Sequence, residues 1–320
     1  AVDVRRVRAF TLAALEGAAA SGHTLLPLAH IVSAVKAMPV RPECPVTGDI
    51  LAARTAEMAP EITAADTGEP ALQLQRYKDI GQLVRTQALK RVGGQRHVVG
   101  RDWRKLLDER FGASKDEEET RAREEKAAAL KELAESRFSI LAGPAGAGKT
   151  TVLGILCAQP EIVAEGLLLL APTGKARVRM QELAAGASTR AQTLAQFLNQ
   201  NGRYDGRAGR YHLSSAPKKT GFGTVIVDES SMLTEDMLGA LFDALQGVKR
   251  FIFVGDPAQL PPIGAGRPFV DLIAKLRPQD HESKFPRVSP GYAELTIERR
   301  QIGEDRPDLR FARRSEEHTS

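Results

Sequence analysis

The sequence contains few of the residues that mark disulfide-stapled, metal-thiolate or membrane proteins. It has two cysteines, Cys44 and Cys157, and their positions match no metal-ligand or redox spacing. No uninterrupted apolar run approaches the ~20 residues that a membrane-spanning helix needs, and the longest, residues 166–172, has the length of a strand. We therefore expect a cytoplasmic protein with unpaired thiols and no membrane partner.

Compositional extremes are missing as well. The chain is 42% hydrophobic and 27% charged, which predicts an ordinary soluble protein and excludes a disordered or membrane protein, and its 320 residues predict about two domains. A net charge of +5 permits a polyanionic partner without requiring one. The first residues show neither an initiator methionine nor the apolar core of a signal peptide.

The strongest positive signal is a glycine-rich segment placed between a strand-like run, 138–142, and an apolar-periodic run, 152–156. In this context the pattern G-x-x-x-x-G-K-T predicts a phosphate-binding loop (P-loop), whose backbone N–H groups form an anion nest at a helix N-terminus. Lys149 is then expected to contact the β- and γ-phosphates, and the Thr150 hydroxyl to bind Mg²⁺. The segment reads Gly143-Pro144-Ala145-Gly146-Ala147-Gly148-Lys149-Thr150-Thr151.

From Phe138 to about Gln301 strand and helix patterns alternate, which predicts an α/β fold with a parallel sheet. Because ligands bind at the carboxyl ends of such strands, polar residues that follow the strands are candidates for the site. The predicted strands are 138–142, 166–170, 223–228, 250–254 and 293–296.

Two of these predicted strands end in such candidates. Asp228 is placed to hold Mg²⁺ through water, and Glu229 to orient or deprotonate the attacking water, with a helix cap as the alternative. Gln259 follows the next strand, and its amide can both donate to a γ-phosphate and accept from a water. Without the other motifs, the Gln259 segment would simply indicate a turn.

Residues 1–112 have a different pattern, rich in helical spacing. Gly93-Gly94, between residues 90–92 and 97–99, predicts a small hairpin, and helices with such a hairpin suggest a winged-helix-like domain. Residues 113–136 then predict an exposed acidic linker and a lead-in helix. The basic residues near the hairpin predict either a solvated face or nucleic-acid contact; they are Arg85, Lys90, Arg91, Arg96, Arg101, Arg104 and Lys105.

Five motifs, in order, resemble superfamily 1 DNA helicases of the RecD-like (exonuclease V alpha-subunit-like) branch. Besides the P-loop they are residues 171–176, 228–232, 255–262 and 295–301. The resemblance implies a RecA-like P-loop NTPase motor domain over 137–313, with ATP and Mg²⁺ as cofactors. It also implies ATP-driven movement along single-stranded DNA from 5′ to 3′, in DNA repair or recombination, with partner subunits unknown. Arg300 is then the arginine finger, with Arg299 as a near competitor.

The resemblance also implies DNA contacts. Thr173, Lys175 and Arg177 follow the second strand, where the family's DNA-facing loop lies, although Thr173 could instead cap a helix. Thr193 is a further candidate, in a segment where Ala195 replaces a histidine of the family. A cationic, aromatic hairpin is predicted near 200–213, and Arg203 to Arg210 either contact DNA or are simply solvated.

Two departures from the family affect the prediction. Its adenine-reading glutamine is not found, and residues 124–130 occupy that region instead. The chain also stops soon after Arg300, before a second RecA-like domain, and residues 314–320 resemble the translation of a sequencing adapter. We therefore expect a fragment whose own ATP hydrolysis is weak or absent.

Two other classes of function remain open at this point. A P-loop ATPase that remodels a protein would hydrolyse ATP without responding to single-stranded DNA. A non-catalytic nucleic-acid-binding module would have no need to retain Lys149, Asp228, Glu229 and Gln259 together.

Overall fold

The structure is a computed structural model that describes residues 3–65, 67–183 and 189–298. None of the helices within these ranges combines the length and hydropathy needed to cross a membrane. The elements before the central sheet are α1 (Val4–Ala20), β1 (Leu25–Pro27), α2 (Leu28–Lys36), α3 (Gly48–Arg54), β2 (Ile62–Ala65), β3 (Ala71–Leu74), α4 (Gln75–Val92), α5 (Trp103–Phe111) and α6 (Glu117–Glu135).

The remaining elements build the sheet and its cover. They are β4 (Phe138–Ala142), α7 (Lys149–Cys157), α8 (Pro160–Ala164), β5 (Leu167–Ala171), α9 (Gly174–Leu183), β6 (Gln192–Thr193), α10 (Leu194–Gln200), β7 (Tyr204–Asp205), β8 (Arg210–Tyr211), β9 (Thr224–Val227), α11 (Glu235–Ala244), β10 (Arg250–Gly255), α12 (Pro268–Leu276), β11 (Arg287–Ser289) and β12 (Tyr292–Glu294).

A seven-stranded sheet forms the centre, in the order β11-β12-β4-β10-β9-β5-β6. The strands from β12 to β6 pair in parallel, and β11 pairs antiparallel with β12. Strands β4, β5, β9 and β10 are buried along their whole length, as expected for parallel strands covered on both faces. The α/β parallel sheet predicted from the sequence is confirmed, with strand ends within one or two residues of the predicted ones.

The side chains of the sheet alternate between two apolar cores. Phe138 and Ile140 face a core that includes residues from α4, α10, α11 and α12, whereas Leu141 faces a core that includes residues from α5, α6 and α7. Both α4 and α5 therefore pack on the sheet, although they precede it in the chain by tens of residues.

The N-terminal elements form a third core around a small antiparallel sheet in the order β1-β3-β2. The hairpin predicted around Gly93-Gly94 is wrong, because α4 continues to Val92 and no strand occurs in residues 93–102 of the described chain. Burial of Ile80, Val84 and Ala88 on one face explains the long helix, since these residues recur every four positions. The hairpin of this domain is instead formed by β2 and β3, which are consecutive and pair antiparallel, so only its predicted position is wrong.

The acidic segment after residue 113 is also more structured than predicted. Helix α6 begins at Glu117, capped by the Asp116 carboxylate, and it buries Arg123 and Glu125 within the segment expected to be an exposed linker. Arg123 is neutralised by Glu119 and Asp108, at 2.5 and 2.8 Å. Because these two carboxylates pair with the guanidinium, Arg123 can be buried in a segment whose sequence is mostly charged.

Candidate nucleotide and nucleic-acid site

The P-loop lies between β4 and α7, with Lys149 as the first residue of the helix. Gly146 and Gly148 have φ angles of 88° and 90°, a left-handed conformation that favours glycine. At Gly143 a Cβ atom would lie 2.6 Å from the Leu295 carbonyl oxygen, so a side chain is excluded there by contact. The glycines of the motif are therefore required both by backbone conformation and by close packing.

Lys149 turns back onto the loop that carries it. Its Nζ donates to the carbonyl oxygens of Gly143 and Pro144, at 2.6 and 2.8 Å. Burial lowers the pKa of this amine, while the nearby carboxylates of Asp256 and Asp228 act in the opposite direction. The ammonium thus has neutral hydrogen-bond partners in the loop, which a phosphate can replace.

Two carboxylates follow the buried strand β9. The backbone N–H of Asp228 donates to Leu170 at 3.0 Å, and burial raises the pKa of the Asp228 carboxyl group. Glu229 has φ 50°, the one left-handed backbone among the non-glycine residues of the described chain. Strained backbone of this kind occurs at functional sites, where the surrounding structure holds it in place.

Both oxygens of the Glu229 carboxylate have partners outside the strand. Thr173 Oγ1 donates to one oxygen and Arg179 to the other, each at 3.3 Å. Ser231 Oγ donates to Gln259 Oε1 at 3.2 Å, which links the segment after β9 to the loop after β10. The polar residues predicted at the strand ends therefore lie in one connected cluster.

Sequence reasoning missed three members of this cluster. Asp256 is the acidic residue with the largest electrostatic effect on Lys149, and its position at the end of β10 could have indicated this. Arg179 and Ser231 gave no such signal, because their roles depend on contacts with residues 50 and 28 positions away.

Of the four residues predicted to contact DNA, the two threonines also have structural roles. Thr173 Oγ1 accepts from the Ala176 N–H at the start of α9, and Thr193 forms a capping box with Gln196 at the start of α10. Lys175 is exposed and Arg177 is half-buried on the first turn of α9. Contact of these four residues with DNA stays a prediction, and helix capping accounts for both threonines without it.

The small hairpin near 200–213 is present, but Arg203 does not face solvent. Its side chain is fully buried, pairs with Asp243 at 3.0 Å, and donates to several backbone carbonyls, including that of Ala216 at 2.6 Å. The rings of Tyr204 and Tyr211 lie 4.5 Å apart and pack against the core. The expectation that Arg203 touches DNA is therefore wrong, since this guanidinium holds the hairpin together.

Most of the basic residues from 85 to 105 likewise have partners within the protein. Arg96 pairs with Glu132 and Glu135, Arg91 lies over the Phe251 ring at 4.7 Å, and Arg104 pairs with Asp108. These contacts favour a structural role over nucleic-acid contact. Arg299, Arg300 and the segment 314–320 lie outside the described residues.

The fold and the site define a P-loop NTPase: a parallel sheet, a phosphate nest after one strand, and an Asp-Glu pair after a nearby strand. A sequence-family model described as "AAA domain" matches residues 121–300. The chain belongs to this AAA domain family.

The curated relatives of this chain include RecD-type proteins. The chain is 29% identical over 282 residues to the ATP-dependent RecD2 DNA helicase of Deinococcus radiodurans, an alignment covering 84% of this chain and 36% of the relative. It is 30% identical over 173 residues to the RecBCD enzyme subunit RecD of Mycolicibacterium smegmatis, covering 48% and 30%. The predicted resemblance to RecD-like helicases is confirmed.

A further relative is an uncharacterized protein of Methanocaldococcus jannaschii, 34% identical over 176 residues, with 51% of this chain and 15% of the relative covered. The chain thus spans between 15% and 36% of the length of these three relatives.

Proposed function

We propose that this chain supplies the first motor domain of an ATP-dependent DNA helicase or translocase that moves 5′ to 3′ on single-stranded DNA. The observation that carries the proposal is the convergence of the P-loop, Asp228-Glu229 and Gln259 at the carboxyl ends of β4, β9 and β10, which are adjacent in the sheet. The likeness to a RecD2 DNA helicase over 84% of the chain supports DNA as the polymer along which the protein moves.

The residues present fit ATP with Mg²⁺. The Thr150 hydroxyl is exposed at the start of α7, and the half-buried Asp228 carboxylate is close enough to Lys149 to act on its pKa. Such oxygen ligands are the ones that Mg²⁺ prefers. When bound, the ion would be held by Thr150 and Asp228 and would neutralise charge on the phosphates.

Each of the other polar residues has a role that follows from its position. The loop N–H groups bind phosphate oxygens, and Lys149 exchanges its carbonyl partners for the β- and γ-phosphates. Glu229 accepts the proton of the attacking water, and Gln259, oriented by Ser231, hydrogen-bonds the γ-phosphate or that water. Thr173 contacts Glu229 and begins the helix that carries Lys175, so the nucleotide site and the proposed DNA face are joined.

The full-length protein is expected to hydrolyse ATP faster when single-stranded DNA is added, as measured by a coupled ATPase assay. Lys149→Ala should abolish this activity and weaken ATP–Mg binding in calorimetry, because the phosphates lose their point charge. Lys131→Ala, an exposed lysine on α6, is the control. Unchanged nucleotide affinity in Lys149→Ala would contradict the P-loop assignment, and hydrolysis indifferent to DNA would favour a protein-remodelling ATPase.

The DNA contacts are expected to be electrostatic. Affinity for single-stranded DNA should fall as salt rises, and Lys175→Ala or Arg177→Ala should each reduce the log–log slope by ~0.7, the value for one phosphate contact on a single strand. Fluorescence anisotropy over a salt series measures this slope, with Lys36→Ala, an exposed lysine at the end of α2, as the control. Wild-type slopes in both variants would remove α9 from the DNA face.

A further inference from the structure

Helix α6 places a second lysine against the P-loop. The Lys126 Cε lies 2.7 Å from the position that a Cβ atom on Gly148 would take, and the Lys126 Nζ lies 3.5 Å from it. Gly148 directly precedes Lys149 and is the N-cap residue of α7. The phosphate loop is therefore in contact with a cation from a helix that precedes the sheet, besides the lysine that the loop itself carries.

The face of α6 around Lys126 gives its ammonium group no counter-charge. Residues three and four positions apart are neighbours on a helix surface, and at Lys126 these neighbours are apolar or basic. They are Ala122, Arg123, Ala129 and Leu130. The Lys126 Nζ donates to the Ala122 carbonyl oxygen at 3.4 Å, a long hydrogen bond to a neutral acceptor on the same helix.

The carboxylates closest to Lys126 in the sequence are bonded elsewhere. Glu125 accepts from the Thr296 N–H at 2.7 Å and from Thr296 Oγ1 at 2.6 Å, and Glu124 lies 3.8 Å from Arg104. Among the acidic residues whose positions the structure gives, none pairs with Lys126. Burial lowers the pKa of the half-buried Lys126 amine, while the charge of Glu125 acts in the opposite direction. An ammonium group held in this way is stabilised by an anion that enters the loop.

An anion bound in the loop would lie within reach of Lys126. The N and Cβ atoms of one residue are ~2.5 Å apart, so the Lys126 Nζ lies within ~6 Å of the Gly148 nitrogen. A phosphate oxygen that accepts from the Gly148 N–H would lie ~2.9 Å from that nitrogen. The oxygen is then at most ~9 Å from Nζ, and rotation about the bonds of the flexible four-carbon lysine stem can close this gap.

We propose that Lys126 is a further phosphate-binding residue of the nucleotide site, which contacts the α- and β-phosphates of a nucleoside di- or triphosphate. The inference rests on the proposed function. The backbone N–H groups of such a loop hold the α- and β-phosphates, whereas the lysine of the motif reaches the β- and γ-phosphates. Lys126 therefore contributes to the affinity for ADP and for ATP alike, and the bound nucleotide supplies the counter-charge that α6 lacks.

The test is Lys126→Met in the full-length protein, which keeps an unbranched apolar stem on Gly148 but removes the ammonium group. We expect the dissociation constants of ATP–Mg and ADP–Mg, measured by calorimetry, to rise by the same factor of about 10, the effect of one hydrogen bond to a charged group. Without nucleotide the thermal midpoint should not fall, because the variant removes a half-buried charge that has no counter-charge. Lys126→Gln serves in the same assays if the methionine variant does not fold.

Lys131→Met is the matched control, since Lys131 is an exposed lysine on the same helix, and it should leave both affinities unchanged. Wild-type affinities in Lys126→Met would overturn the inference, and so would a loss of affinity accompanied by a lower midpoint without nucleotide, which would show that the side chain only packs on the loop. A loss confined to ATP would overturn the assignment to the α- and β-phosphates. Lack of ATP–Mg binding by the wild-type protein would instead refute the proposed function, and the role of Lys126 with it.

Discussion

Glu229→Gln in the full-length protein is expected to lower ATP turnover by ~10²–10⁴-fold, the usual loss when a general base is removed. ATP and DNA binding should persist, because the P-loop and Lys149 are untouched. The pairing of Glu229 with Arg179 does not prevent such a role. The Arg179 side chain is 52% exposed, and an exposed ion pair of this kind contributes about 0–1 kcal/mol to stability. Arg179 can therefore release the Glu229 carboxylate at little cost.

Single-turnover hydrolysis, measured beside calorimetric ATP affinity, separates the chemical step from binding. Glu182→Gln removes an exposed carboxylate on α9, the helix that carries Arg179, and should leave both quantities unchanged. Near wild-type turnover in Glu229→Gln would move the water-orienting role to another residue, and Asp256, whose carboxylate acts on the pKa of Lys149, would be the first to examine.

Arg300→Ala is expected to have an effect at least as large. An arginine finger is worth ~10³–10⁵ in turnover, because it stabilises charge on the transferring phosphoryl group in the transition state. Nucleotide affinity should change much less than kcat, since the contact forms mainly in that state.

The control for Arg300→Ala is Arg299→Ala, a substitution of the same type one position earlier. A larger loss of kcat in Arg299→Ala would assign the finger to that residue. If neither variant lost more than tenfold in single-turnover hydrolysis, the motif at 295–301 would have no finger.

The strands and the P-loop could be predicted because their signals are local. A strand buried on both faces is a continuous apolar run, as in residues 167–171, and the P-loop is specified by adjacent glycines, a lysine and a threonine. The Asp-Glu pair was found for the same reason, since it directly follows such a run.

The incorrect predictions concern residues whose environment is set by partners far away in the sequence. The local sequence around Arg203 predicts a surface cation, because Asp243, which neutralises it, lies 40 positions later. The acidic run around Glu125 predicts an exposed linker, because Thr296, which hydrogen-bonds the Glu125 carboxylate, is 171 positions away. The false hairpin at Gly93-Gly94 has a related cause, since the packing of α4 on the sheet outweighed a strong turn signal.

Helix α4 belongs to two cores at once. Tyr77 lies in the N-terminal core, whereas Ile80, Val84 and Ala88 lie in the core beneath the sheet. Ile80 approaches Gly239 so closely that a Cβ there would lie 2.6 Å from it.

A second attachment joins the same two parts, because the Gly266 N–H donates to Gly22 at 3.1 Å. The 18 residues of α4 span ~27 Å and are packed in both cores, so the helix bridges them directly. Together with the Gly22–Gly266 hydrogen bond, this gives the N-terminal core two separate attachments to the part of the chain that carries the P-loop, and we expect the two cores to unfold in one cooperative transition.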